Sequence, residues 1–150
     1  MMKTRKSWRE KLEREQEPKL VDTPKGKMLV PKPLDVDALI RKVRKGKLVT
    51  VTQLRERLAK DFGADYTCPL TTGIFVWIAA ETAEEDLRGG RKRITPYWRV
   101  IKRDGSLNEK FPGGARRHAD YLKAEGHMIH TLGRKRSLRV KDFEGGLQKL

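Results

Sequence analysis

Apolar residues recur at helical spacing in four segments of the chain, which are separated by turn-forming residues. The segments cover residues 35–46, 52–63, 71–87 and 115–126. In each of them apolar side chains lie three or four positions apart, a spacing that places them on one face of a helix. Asp35 and either Thr50 or Thr52 are the expected N-caps of the first two helices. The pattern therefore predicts a mostly helical domain.

Shorter apolar runs between these segments predict a few strands. Residues 48–51 form one such run, and residues 97–111 are predicted as a strand, a turn at Asp104–Gly105 and an extended tail. Further strand candidates lie at residues 127–132 and around residues 138–140. The combination of short strands with four helices predicts an α/β fold that is mostly α.

The second and third predicted helices, with the short connector between them, resemble a helix-turn-helix. This unit lies in the middle of a predicted domain that covers residues 26–130. Residues 1–25 are predicted to be a basic flexible N-terminal arm, and residues 131–150 a basic C-terminal extension. On the third helix, Trp77 and Ile78 are expected to be core residues.

The charge of the chain favours a polyanionic partner. The formal net charge is +15, with 35 Lys and Arg against 20 Asp and Glu, and nucleic acid is the usual partner of so basic a chain. No apolar run approaches the roughly 20 residues of a spanning helix, and the N-terminus has no apolar signal-peptide core. The single cysteine, Cys68, fits a reducing compartment. We expect a cytoplasmic monomer that does not bind membranes.

Residues 96–126 resemble the C-terminal core of the alkylguanine-DNA alkyltransferases, whose pattern begins Pro-Cys-His-Arg-Val and ends Leu-x-x-Glu-Gly. The matching positions are Pro96, Arg99, Val100, Gly105, Phe111, Gly113, Gly114, Leu122, Glu125 and Gly126. The resemblance extends less specifically over residues 34–130 and includes the predicted helix-turn-helix. It implies a winged-helix-like alkyltransferase C-terminal domain.

The two positions that would carry the chemistry depart from the family pattern. Tyr97 stands where the family has its alkyl-accepting cysteine, and Trp98 where it has the neighbouring histidine; Glu125, the third member, is kept. A phenol is a poor nucleophile at neutral pH and indole is not a useful base. The resemblance therefore implies the alkyltransferase-like branch, which binds without alkyl transfer. That branch flips a damaged guanine from duplex DNA and marks it for excision-repair proteins.

The resemblance also implies a base pocket and a DNA-binding surface. The expected pocket residues are Tyr97, Trp98, Arg99, Phe111, Pro112, Gly113 and Gly114. The expected DNA-binding residues are Thr71, Thr72, Gly73, Arg88, Arg91, Lys92 and Arg93. The family's arginine finger falls at Thr72 and its phosphate-pushing tyrosine at Val51, so both of these contributions to base flipping are missing. We expect no cofactor, and the histidines have no metal-ligand pattern.

Several alternatives stay open at this stage. The rings of Tyr97 and Trp98 either meet a ligand or fill the emptied pocket, while Arg99 is expected to form a buried ion pair with a carboxylate. A general DNA- or RNA-binding protein with a filled pocket is the second functional hypothesis. An enzyme that uses Cys68 is the third, because a small buried or half-buried cysteine is the simpler interpretation.

Overall fold

The computed structural model describes residues 7–150, and within them the chain forms an α/β domain dominated by helices. The helices are α1 (Trp8–Leu12), α2 (Pro33–Arg41), α3 (Val51–Phe62), α4 (Pro69–Arg88) and α5 (Gly114–Ala124). The strands are β1 (Lys19–Thr23), β2 (Gly26–Val30), β3 (Val49–Thr50), β4 (Tyr66–Thr67), β5 (Val100–Ile101), β6 (Ile129–Leu132) and β7 (Ser137–Val140). This confirms the predicted fold class.

The strands form three small sheets around the helices. In the first, β2 pairs antiparallel with β1 and parallel with β4. In the second, β3 and β5 pair in parallel, so that Val49 lies opposite Val100. In the third, β6 and β7 form an antiparallel hairpin. None of the helices in the described part of the chain is long and apolar enough to span a membrane.

The main core lies between α2, α3, α4 and the segment that follows α4. Its fully buried members include Leu29, Ile40, Leu54, Ala79 and Tyr97. A second cluster joins α5 to β5 and β7 and includes Leu48, Ile101 and Val140. The two clusters share Trp98 as a partly buried neighbour, which places the resemblance motif at their junction.

Helix α3, the first helix of the predicted helix-turn-helix, has a capping residue at each end. Thr50 is the N-cap, its hydroxyl accepts the amide of Gln53, and the Gln53 side chain accepts the Thr50 amide in return. Such reciprocal bonds satisfy two backbone donors at the helix start. Gly63 ends the helix in a left-handed conformation with φ 66°. In α2, by contrast, the helix begins at Pro33, and Asp35 completes the first turn rather than capping it.

Thr50→Ala is expected to lower the free energy of unfolding by about 1 kcal/mol, because it leaves the Gln53 amide without its acceptor. Urea denaturation followed by circular dichroism measures the change. Thr52→Ala, two residues along the same helix, is the matched control and should cost less. Equal effects of the two substitutions would contradict the assignment of Thr50 as the cap.

The prediction of a flexible arm through residue 25 is wrong for residues 7–25, while residues 1–6 lie outside the described part of the chain. The Glu85 carboxylate accepts the backbone amides of Trp8 and Arg9 at 3.0 and 3.2 Å. The Arg9 guanidinium pairs with Asp86, and Leu12 is buried. These contacts fasten α1 to the C-terminal half of α4, and the β1–β2 hairpin crosses the predicted boundary.

The predicted C-terminal extension is also part of the fold. Its boundary at residue 130 falls inside β6. Val140 and Phe143 are buried in the second core cluster, and Leu147 forms a parallel bridge with Leu48. The strand expected around residues 138–140 is present as β7. The segment was nevertheless placed outside the domain, because its apolar residues are widely spaced among its cations.

Candidate functional site

Tyr97 fills the centre of the motif that resembles the alkyltransferase core. It begins a short 3₁₀ turn, Tyr97–Arg99, where a strand was predicted, and its relative exposure is 0%. Three rings meet it edge to face, Trp98, Phe111 and Tyr121, with centroid distances of 5.4, 5.2 and 5.9 Å. Such arrangements suit the charge distribution of aromatic rings. The phenol therefore occupies the interior of the site.

Glu84, a buried carboxylate on α4, holds the hydroxyl of Tyr97. The Tyr97 hydroxyl donates to Oε1 at 2.8 Å, and the Tyr121 hydroxyl donates to the same oxygen at 2.9 Å. Arg117 on α5 donates to the other oxygen at 2.9 Å. Burial and the nearby carboxylate raise the pKa of Tyr97 well above its ordinary range. The phenol thus stays protonated and is even less nucleophilic than free tyrosine.

Glu125 gathers the other polar groups of the motif. Its carboxylate accepts from Trp98 Nε1 at 2.8 Å, from Arg99 Nη2 at 2.8 Å and from the Gly46 amide at 3.0 Å. Burial would raise the pKa of Glu125, but the hydrogen bonds from Arg99, Gly46 and Trp98 outweigh it and lower that pKa. The expected Arg99 ion pair is confirmed. The carboxylate that would orient a histidine in the family here orients an indole and a guanidinium.

The loop between β5 and α5 closes over the aromatic cluster. Its Phe111 side chain packs inward on Tyr97, and Pro112 leads into the glycine pair at the start of α5. Gly113 has φ +79°, and a Cβ there would lie 2.4 Å from Arg117 Cδ, so the turn requires glycine. Of the sequence-predicted pocket residues, Tyr97, Trp98 and Phe111 therefore pack together as an aromatic cluster, and Pro112, Gly113 and Gly114 follow it at the half-buried and exposed start of α5.

A buried histidine supports this loop. His118 on α5 accepts the Asn108 amide at Nδ1 and lies 2.7 Å from the Trp98 carbonyl through Nε2, which places the proton on Nε2. Burial lowers the pKa of His118 to about 4. The neutral imidazole thereby joins the loop to the 3₁₀ turn.

Comparisons with known proteins give a likeness in structure only. Neither protein-family models nor curated proteins match the chain. The crystal structure of S. pombe Atl1 in complex with damaged DNA containing O6-carboxymethylguanine matches with a TM-score of 0.56 and 17% identity. That of S. pombe ATL in complex with DNA matches with 0.54 and 18%. In both cases the match covers 79% of this chain and 94% of the other. This chain has the alkyltransferase-like fold.

The alkyltransferase-like fold separates the predicted DNA-binding residues into two groups at opposite ends of α4. Gly73 is exposed near its N-terminus, whereas Arg88, Arg91, Lys92 and Arg93 are exposed at and beyond its C-terminus. Arg88 lies fifteen residues after Gly73, which corresponds to about 22 Å along the helix. Thr72 is fully buried, and its hydroxyl donates to the Cys68 carbonyl. Its inclusion among the DNA contacts is wrong.

Cys68 is remote from the aromatic cluster of this alkyltransferase-like fold. It is half-buried at the N-terminal end of α4, and the Thr71 hydroxyl donates to its sulfur. Burial would raise the pKa of the thiol, but hydrogen bonds from Thr71 and Leu70 lower it overall. Cys68 precedes Glu84 by sixteen residues of α4, about 24 Å along the axis. The thiol therefore does not replace an acceptor at position 97.

Sequence analysis missed a groove on the outer side of the loop between β5 and α5. It lies between the first turns of α4 and residues 102–110, with a volume of about 710 Å³. Leu70, Ile74 and Trp77 line it and are 73%, 43% and 36% exposed. The expectation that Trp77 is core is therefore wrong, and Ile78 is only half-buried. The spacing of residues 70, 74 and 77 places them on one face of the helix, and this was the sequence signal for the groove. The signal was ambiguous because α4 has a second apolar face, which is the one that packs into the core.

Proposed function

We propose that this protein binds duplex DNA and recognises an alkylated guanine without transferring the alkyl group, as a damage-recognition protein of DNA repair. The observation that carries the proposal is the fold likeness to S. pombe Atl1, a chain solved on damaged DNA containing O6-carboxymethylguanine. The match covers 94% of that chain, so the likeness includes nearly all of the damaged-DNA-binding structure.

The packing of Tyr97 supports binding without transfer. An acceptor must be a nucleophile that is accessible to the alkyl group. Tyr97 is fully buried, and its hydroxyl is bonded to Glu84, while Trp98 donates its only polar hydrogen to Glu125. A protein that binds a lesion but cannot remove it serves repair by presenting the lesion to other proteins. We therefore propose excision-repair proteins as its partners.

The charge distribution supports binding of the DNA backbone. The net charge is +15, and the exposed cations Arg88, Lys92 and Arg93 follow the helix that corresponds to the reading helix of a helix-turn-helix. Contacts with phosphates release counterions, which makes affinity fall steeply with salt.

Binding to duplexes that differ only in one O6-alkylated guanine tests the proposal. The alkylated duplex is expected to bind about 10-fold or more tightly than the unmodified duplex at the same salt concentration, the advantage that one recognised base typically gives. Both affinities should fall at least 10-fold between about 50 and about 200 mM salt. Fluorescence anisotropy gives the dissociation constants.

The protein mass after incubation with the alkylated duplex is the control for chemistry. An unchanged mass agrees with the proposal, whereas the gain of one alkyl group would show an acceptor and contradict it. Equal affinity for the two duplexes would contradict lesion recognition and favour the hypothesis of a general nucleic-acid-binding protein.

A further inference from the structure

The groove beside the N-terminal half of α4 has the apolar floor that a nucleobase requires. Leu70, Ile74 and Trp77 follow one another along a single helical face and remain exposed. Trp8 meets Trp77 edge to face at 4.8 Å and supports its ring from the side of α1. Tryptophan rings of this kind stack on bases of any sequence.

The rim of the groove carries the polar groups that a nucleotide would meet. Lys102 and Lys110 line it, and neither lysine forms an ion pair within residues 7–150. Asn108 Oδ1 accepts the Lys110 amide, so the carboxamide nitrogen is available as a donor. Glu109 adds an acceptor for base N–H groups. Two cations flanking a stacking surface match a base together with its phosphates.

The loop of residues 102–111 separates this groove from the aromatic cluster around Tyr97, which fills the site of the resemblance motif and is called the plugged site below. Phe111 packs inward on Tyr97, while Asn108, Glu109 and Lys110 line the groove. The loop is held in place from behind, because Leu107 donates to the Leu138 carbonyl and Asn108 donates to His118. The aromatic cluster around Tyr97 leaves no room for an extruded base. On the outer side of the well-held loop, the groove is open to such a base.

We propose that the groove between α4 and the 102–110 loop receives the extruded base, with Trp77 as its stacking partner and Lys102 and Lys110 on the flanking phosphates. The inference rests on the proposed function and relocates its binding site. A volume of about 710 Å³ lies within the usual range for small-ligand sites, about 300–1,000 Å³. The occupant to which the stacking surface and the two lysines fit is a nucleobase of the bound DNA.

Photo-crosslinking locates the base directly. A duplex that carries at the target position an O6-alkylguanine with a photoreactive diazirine in its alkyl group is irradiated in complex with the full chain, and the crosslinked peptide is identified by mass spectrometry. Crosslinks are expected within residues 69–77 or 102–110. Crosslinks at Tyr97 or Trp98 would overturn the proposal.

Substitution measures the contribution of stacking. Trp77→Ala is expected to reduce the preference for the O6-alkylguanine duplex about 10-fold, with little change for the unmodified duplex. Ile74→Ser, at a more exposed position of the same stripe, should act in the same direction and keeps the Trp8–Trp77 ring pair. Phe62→Ala is the matched control, since Phe62 is 37% exposed on α3 outside the groove and should not alter the preference.

The outcomes separate this inference from the proposed function. A wild-type protein without lesion preference would overturn both. A wild-type preference that survives Trp77→Ala and Ile74→Ser would overturn the groove as the site and leave lesion recognition standing. Equal weakening of both duplexes by the two substitutions would make the groove a general DNA contact and overturn its role in holding the base.

Discussion

Tyr97→Ala is expected to lower the free energy of unfolding by about 4 kcal/mol, within the range for removal of a buried aromatic side chain. The ring is fully buried between Trp98, Phe111 and Tyr121, so its loss leaves a cavity that the surrounding rings cannot fill completely. Tyr97→Phe keeps the ring and should cost only about 1–2 kcal/mol, because it removes one hydrogen bond from the buried carboxylate of Glu84.

Urea denaturation followed by circular dichroism measures both variants, because a substitution beside Trp98 would alter tryptophan fluorescence directly. Phe62→Ala is the control for loss of an exposed aromatic ring, and it should cost less than about 1 kcal/mol. A cost of less than about 1 kcal/mol for Tyr97→Ala would mean that the ring is not a structural plug. The site would then be able to open.

Acidification is expected to destabilise the protein between pH 6.5 and pH 4 through His118. Burial lowers the pKa of the imidazole from 6.5 to about 4 in the folded state, so the unfolded state takes up the proton first. Stability is therefore lost as the pH falls through this interval, and no contribution of this kind arises above pH 6.5. The full loss is about 3 kcal/mol. Proton uptake would break the bond that Nδ1 accepts from Asn108.

His118→Gln removes this titration, so the variant should lose about 3 kcal/mol less than the wild type between pH 6.5 and pH 4. Chemical denaturation at both pH values gives the difference. Burial also lowers the pKa of His127, which acts in the same direction in both proteins and cancels in the comparison. Parallel pH profiles for the two proteins would contradict a buried neutral His118.

Local signals in the sequence were sufficient where the interactions themselves are local. Thr50, one of the two expected N-caps of α3, is the cap that the structure uses, because capping depends on residues within one turn of the helix end. A buried ion pair of Arg99 with a carboxylate was also predicted, and Glu125 is the partner that the structure gives it. The fold class followed from the number and spacing of these elements.

Long-range partners explain what the sequence did not reveal. The plugged state of the site depends on Glu84, whose bond to Tyr97 joins two separate elements of the fold. Trp77 lies on a helix with apolar residues on two faces, and periodicity cannot tell which face the core covers. The short α1 has little apolar surface and is ordered mainly by carboxylates on α4, 76 or 77 residues away along the chain.

The attachment of α1 also changes the electrostatic potential at the C-terminal end of α4. Glu85 and Asp86 would place two negative charges close to the exposed cations Arg88 and Lys92. Instead, the amides of Trp8 and Arg9 donate to the Glu85 carboxylate, and the Arg9 guanidinium pairs with Asp86. The N-terminal segment therefore offsets the negative charge of α4 beside its exposed cations. A chain without it would keep Arg88 and Lys92 but have a weaker positive potential beside them, and the proposed approach of DNA would be slower.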